Sequence, residues 1–262
     1  MSANNPFALL GHIGRDAAGA VQILPMTSDC DDASRQGEIE WLDDEAIGRT
    51  LTDLARSPES WDPGRNAGRW SLAGAQSKIA LFRSPDGRWG VPCDSTPTTH
   101  ILKSSMPNYE GHHLNEHLCL RAAQLCGLPA AATEVLTTDR YEVLVSRRYD
   151  RIQDQDGRWR RLHQEDLCQA LSAAPGMKYQ TDGGPWAAAG ARLGMTRDRA
   201  IGRVQHLRAR IPAAFFTAAN ESGVPESLRD RARWIAELID AQVAGRRDGW
   251  GRLDVRPWKP ST

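Results

Sequence analysis

No stretch of this chain is apolar over the ~18 residues that a membrane-spanning helix needs, so no spanning segment is expected. The segment from Met1 to Pro6 lacks both the basic and the apolar region of a secretory leader, and a cytoplasmic protein with no membrane contact is expected. There is also no excess charge of either sign. Thirty-three Lys and Arg balance 33 Asp and Glu, so no overall field draws the chain to nucleic acid or an anionic surface. The five cysteines form no CxxC pair, which argues against a disulfide framework or a zinc site and for reduced thiols. Cys119 and Cys126 are spaced to share a helix face, and both are expected to pack in the core. No internal repeat or low-complexity tract is present.

What is present is a chain of 262 residues, long enough for one large domain or two small ones. A short helical pattern begins at Pro6, and residues 18–25 read as a strand closed by Pro25. Residues 27–38 are polar and acidic and read as a loop. Asp43 or Asp44 can cap a helix reaching Arg56, and the breaker-rich 57–64 stretch separates that helix from a run of strand patterns. Residues 78–82 and 89–92 flank the turn Pro85-Asp86-Gly87, a hairpin pattern, and 99–103 is another short strand. Residues 114–126 are helix-like, with Gly127 placed to end the helix, and 134–138 with 141–145 make a second hairpin. Beyond residue 158 the pattern is helical over 164–171, 186–193, 197–220 and 226–244, with Pro212 expected to kink or break its helix and a frayed end over 252–262. Three strands, a helix and two strands, in that order, are the order of a kinase amino-terminal lobe. The expected fold is α+β, with a protein-kinase-like two-lobe architecture. It divides into a leading region over 1–70, a β-rich lobe over 71–158 and a shortened helical lobe over 159–262.

Candidate chemistry begins in Ser71-Leu-Ala-Gly-Ala-Gln-Ser-Lys78. The small side chains of Ala73, Gly74 and Ala75, with Gln76 and Ser77, let backbone N–H groups turn toward a phosphate, and Lys78 adds a cation beside them. A plain hairpin turn uses the same residues. Lys103, at the end of the next strand, stands where a kinase needs charge for phosphates, although a lone strand-end lysine is also an ordinary edge residue. Glu116 on the following helix is its natural ion partner, or else a surface glutamate. The segment from Val143 to Arg151 would form the edge joining the lobes, where backbone groups and the Tyr149 ring can meet an adenine, or where the ring serves the core. His113 and His117 share a helix face but lack the intervening Glu of a zincin, so a solvated face is expected there, as for His112.

Several of these pieces together resemble the HipA family, bacterial serine/threonine kinases of toxin–antitoxin systems. They are Phe7 to Asp16 with Gly19 to Val21, Ser71 to Lys78, Thr96 to Lys103, Asn115-Glu116, Arg148 to Arg151, His163 to Gln169, and Lys178 to Pro185, in family order. The resemblance implies that Ala73 to Lys78 hold ATP phosphates, that Lys103 contacts the nucleotide, that Arg147 to Tyr149 sit at the adenine, and that Ser71 is the autophosphorylated serine. Family members often carry glutamate where this chain has Arg147. The family's catalytic loop, Asn-x-Asp-x-His-x-Lys-Asn, and its magnesium aspartate follow the Gly-Gly-Pro loop. Here that place is taken by Trp186 and residues that resemble the family's last helices, and Asn220 is the only Asn after Pro185. The resemblance therefore implies a HipA-type kinase that is shortened at its amino terminus and internally deleted. It would bind ATP, lack its Mg ligands and be inactive as written. A HipB-like antitoxin is the implied partner, with DNA reached only through it. The alternatives are a non-catalytic regulator that binds an antitoxin or a paralogue, and a decayed remnant.

Overall fold

The computed structural model describes residues 14–24, 35–56, 70–71, 76, 78–105, 109–174, 177 and 194–246. In chain order the elements are β1 (Asp16–Ala17), β2 (Ile39–Leu42), α1 (Asp44–Arg56), β3 (Trp70–Ser71), β4 (Lys78–Arg83), β5 (Trp89–Pro92), β6 (His100–Ser104), α2 (His112–Leu125), β7 (Thr133–Thr137), β8 (Glu142–Arg147), β9 (Arg151–Gln153), β10 (Trp159–Arg161), α3 (Leu167–Ala170), α4 (Arg197–Ala219) and α5 (Arg229–Ala244). Strands and helices coexist in the α+β arrangement read from the sequence. No helix among the described residues is long and apolar enough to cross a membrane.

Six strands form one sheet in the order β2-β5-β4-β6-β8-β7, and each neighbouring pair is antiparallel. Successive strand side chains alternate faces, so the sheet can be buried on both sides only if both are covered. Ile79, Leu81, Leu102, Val143 and Val145 pack with Ile47 and Leu51 of α1 on one side. The other side carries Leu144 and Val135, which are register partners, and Val135 packs with Leu114 and Leu118 of α2. α2 is therefore enclosed, since α4 and α5 supply Ala214, Phe215, Ala218, Ala232 and Ile235 to the same cluster. β2 and α1, which precede residue 70, belong to this sheet and its core.

Local chemistry explains the element ends. Asp43 starts α1, its carboxylate accepting from the Ala46 N–H at 2.7 Å. Gly127 ends α2 at φ 77°, and its N–H and that of Leu128 donate to the carbonyls of Gln124 and Ala123. Asp166 and Gln169 form a reciprocal capping box on α3.

Four expectations need correction. The strand expected over 18–25 is absent over its described residues 18–24: the strand here is Asp16–Ala17, pairing in parallel with Trp70–Ser71, and Gly19 at φ 78° turns the chain away. β9 and β10 pair as a hairpin across the expected lobe boundary, so the region expected to be helical from 159 opens on a strand, with residues 154–157 turning between the two. α4 runs unbroken through Pro212, the lost N–H being one bond in a helix otherwise held by α2 and α5. Cys126 is buried but Cys119 is exposed, because Cys126 has left the helix at its cap and the enclosed stripe runs through Leu114, Leu118 and Ala122. The expected elements at residues 6–10, 57–64, 186–193 and 252–262 lie outside the described residues.

Candidate functional site

The register of the sheet builds the site. Lys78 of β4 stands opposite Lys103 of β6, and Lys103 stands opposite Leu144 of β8, so the two lysines share the face covered by α2. α2 presents Glu116 to that face, and the Lys103 ammonium pairs with its carboxylate, both side chains being mostly buried. Lys78 is only 4% exposed. Burial, with Lys103 alongside, lowers the Lys78 ammonium below the usual lysine range, and Glu116 offsets part of that. Lys78, Lys103 and Glu116 thus stand side by side under partial cover. Ammonium groups held this way can donate to anionic oxygens. Gln76 donates from its side-chain amide to the carbonyl of Ser104 at 2.9 Å, tying the segment before β4 to the end of β6. Ala73, Gly74, Ala75 and Ser77 lie outside the described residues, as does the side chain of Ser71, whose backbone pairs with Ala17.

At the far end of β8 the three expected residues separate. Arg147 is exposed, and its N–H donates to the Ala132 carbonyl. Arg148 donates its N–H to the Thr99 carbonyl, while its guanidinium is buried and bound to Asp150, Asp16 and Thr98. Neither N–H is left for a purine, so the Arg148 side chain serves the fold. Tyr149 is 69% exposed, and its hydroxyl is paired with the Gln164 amide oxygen.

Arg148 belongs to a buried ionic knot that sequence reasoning did not assemble. Asp16 accepts from Arg148, Arg151 and Arg161 and from the Thr98 hydroxyl and N–H. Asp150 accepts from Arg148, Arg151 and the Gly19 N–H. Burial raises the Asp150 carboxyl, but the Arg148 contacts and the Gly19 N–H outweigh it and hold the group below the usual carboxylate range. Burial lowers the Arg151 guanidinium to about 10, against the pull of Asp16, and leaves it cationic at neutral pH. The signal was half visible, since Arg148-Tyr-Asp-Arg151 stood out as a motif. Its partner Asp16 lies 132 residues before Arg148 and has no local mark.

The histidines of α2 also depart from expectation. His113 and His117 are buried, because α2 is enclosed by the sheet on one side and by α4 and α5 on the other. His113 Nε2 lies 2.6 Å from Glu142 Oε1, close enough for a charged contact though not aligned as a regular hydrogen bond. His117 Nδ1 pairs with the Thr133 hydroxyl at 3.0 Å. Among the described residues no group of three or more His, Cys, Asp or Glu is placed to hold a metal ion.

Residues 70–220 match the family model of the HipA-like C-terminal domain. The protein Y4mE of Sinorhizobium fredii is 40% identical over 187 residues, which is 71% of this chain and 44% of the relative. The serine/threonine-protein kinase toxin HipA of Shewanella oneidensis is 31% identical over 190 residues, 70% of this chain and 41% of the relative. The solved complex of Shewanella oneidensis HipA with HipB and operator DNA superposes at a TM-score of 0.53 and 26% identity, covering 83% of this chain and 51% of that one. The chain thus spans about half the length of the curated relatives it matches.

Proposed function

Because the chain belongs to the HipA-like C-terminal domain family, we propose that it binds ATP along the Lys78 and Lys103 row, with the base near Tyr149, and does not transfer a phosphoryl group. The observation that carries this is the pairing of Lys103 with Glu116 beside the buried Lys78. A lysine fixed by a helix carboxylate keeps its charge in one place, so phosphate oxygens meet a cation that is already oriented. Glu116 also keeps two adjacent ammonium groups tolerable before an anion arrives. Bound ATP would supply a transferable γ-phosphoryl group. Transfer is mostly positioning and charge neutralisation, and it asks for a base and metal ligands beyond the lysine row. After Pro185 the chain carries no Asp-x-His sequence. Asp166 caps α3 and Asp198 lies in the first turn of α4, so neither stands in as a base.

A second reading, regulation by binding without catalysis, is favoured by the HipB and DNA present with the Shewanella oneidensis relative. Under it the chain holds a HipB-like antitoxin, or competes with an intact paralogue for one, and reaches DNA only through that partner.

The test is calorimetry with ATP and Mg on the wild type and on Lys103→Ala, alongside a phosphotransfer assay. The reading expects binding in the wild type, weakened about tenfold or more in the variant, the loss of one charge-assisted contact. It expects no turnover in either. Absence of binding by folded wild-type protein overturns the nucleotide assignment, and turnover abolished by Lys103→Ala overturns the inactivity.

A further inference from the structure

Asp16 occupies a place that its own neighbourhood in the sequence does not explain. It is 7% exposed, and it is the point at which three separate parts of the chain meet. Its Oδ2 receives the N–H and hydroxyl of Thr98, two residues before β6 begins, and the guanidinium of Arg148, one residue after β8 ends. Its Oδ1 receives Arg151 of β9 and Arg161 of β10. The same short segment continues to Gly19, whose N–H donates to Asp150 at 2.8 Å. A Cβ on Gly19 would lie 3.3 Å from Gln164, and its φ of 78° suits glycine, so the segment passes tightly beside the residue that holds the Tyr149 hydroxyl.

Tyr149 is thus braced on both sides in sequence. Arg148 before it and Asp150 after it are locked into the knot, while the tyrosine ring itself is exposed. The lysine row sits elsewhere, at Lys78 and Lys103, with Lys103 at the opposite end of β6 from Thr98. The carboxylate of Asp16 touches no residue of that row.

We infer that Asp16 is a positioning residue for base recognition: through Thr98, Arg148 and Asp150 it fixes the turn that carries Tyr149, and so governs how the site selects an adenine nucleotide over a bare polyphosphate. This rests on the nucleotide reading given above. The two ends of the ligand are served by different machinery, with charge from the lysines and base contact from the braced turn. Disturbing the brace therefore weakens the base contribution and spares the phosphate contribution.

The experiment compares ATP with inorganic tripolyphosphate by calorimetry, for the wild type, Asp16→Asn and the milder Thr98→Val. Thr98→Val keeps the side-chain shape and removes one hydroxyl from the knot, so it serves if Asp16→Asn fails to fold. The expected result is that ATP affinity falls about tenfold while tripolyphosphate affinity stays within about twofold, erasing much of the preference for ATP. Equal losses for both ligands, or no loss for either in a folded variant, overturn the inference and leave the knot a purely structural feature. Wild-type protein that binds neither ligand overturns the nucleotide reading and this inference with it. Wild-type protein that binds both equally overturns this inference alone.

Discussion

Replacing Asp16 with Ala should destabilise the protein more than replacing Arg151 with Met, although Arg151 is the more deeply buried and its side chain makes as many hydrogen bonds. Arg151 is fully enclosed and donates to the carbonyls of Gly19, Ala17 and Asp150 as well as to both aspartates. Removing it leaves Arg148 and Arg161 facing Asp16 and Asp150, two charges against two. Asp150 keeps Arg148 and the Gly19 N–H, and Asp16 keeps Arg148, Arg161 and Thr98. Met fills much of the volume, so the cost is chiefly that of carbonyls losing a donor, about 1–3 kcal/mol. Removing Asp16 instead leaves three guanidinium groups around one carboxylate in a site closed to water. The comparable loss of one member of a buried ion pair costs about 3–5 kcal/mol. For a chain of this size each kcal/mol moves the midpoint by about 2–4 °C, so the two variants should differ by several degrees. Thermal and guanidinium unfolding followed by circular dichroism, with the wild type alongside, reads this directly. An Arg151→Met variant as unstable as Asp16→Ala, or more so, refutes the charge-balance argument and means that hydrogen bonds to the carbonyls outweigh charge pairing in the knot.

Leu118→Ala should cost about 2–5 kcal/mol, since Leu118 is fully buried where α2 meets α4 and α5, and a single unfolding transition shifted as a whole would show that sheet and helices share one core. Gly127→Ala should cost about 1 kcal/mol through its φ of 77° alone, because no atom lies within 4 Å of the added Cβ. Denaturant midpoints at constant slope check both. Stability should also fall as the pH drops from about 6.5 toward 4. Burial, helped by Arg83 and Arg147, lowers the His100 imidazole to about 4, so in that window the unfolded chain binds the proton that the folded chain refuses. His117 is lowered in the same direction by burial, so a His100→Gln variant should flatten the decline without abolishing it. An unchanged slope in urea midpoints across that window would count against the assignment.

The chain's local chemistry specified several of its elements. Two short apolar runs around a Pro-Asp-Gly turn suited β4 and β5, and an aspartate before α1 and a glycine after α2 marked helix ends, because propensity and capping act over a few residues. The Lys103 and Glu116 pair was legible for a related reason: a strand end followed by a helix returns one face toward the other within a short length of chain. Tertiary structure alone decided the rest. Asp16 meets Arg161 across 145 residues, and no local pattern records a partner that far away. His113 and His117 looked like a solvated face because imidazoles are ordinary on a helix surface, yet enclosure by the sheet, α4 and α5 buries both. Cys119 stayed outside because burial follows the direction of the neighbouring elements, not the polarity of the residue. Local sequence marks the turns and caps that act over a few residues. Which faces lose water, and which charges must then find each other, is settled only when distant elements pack.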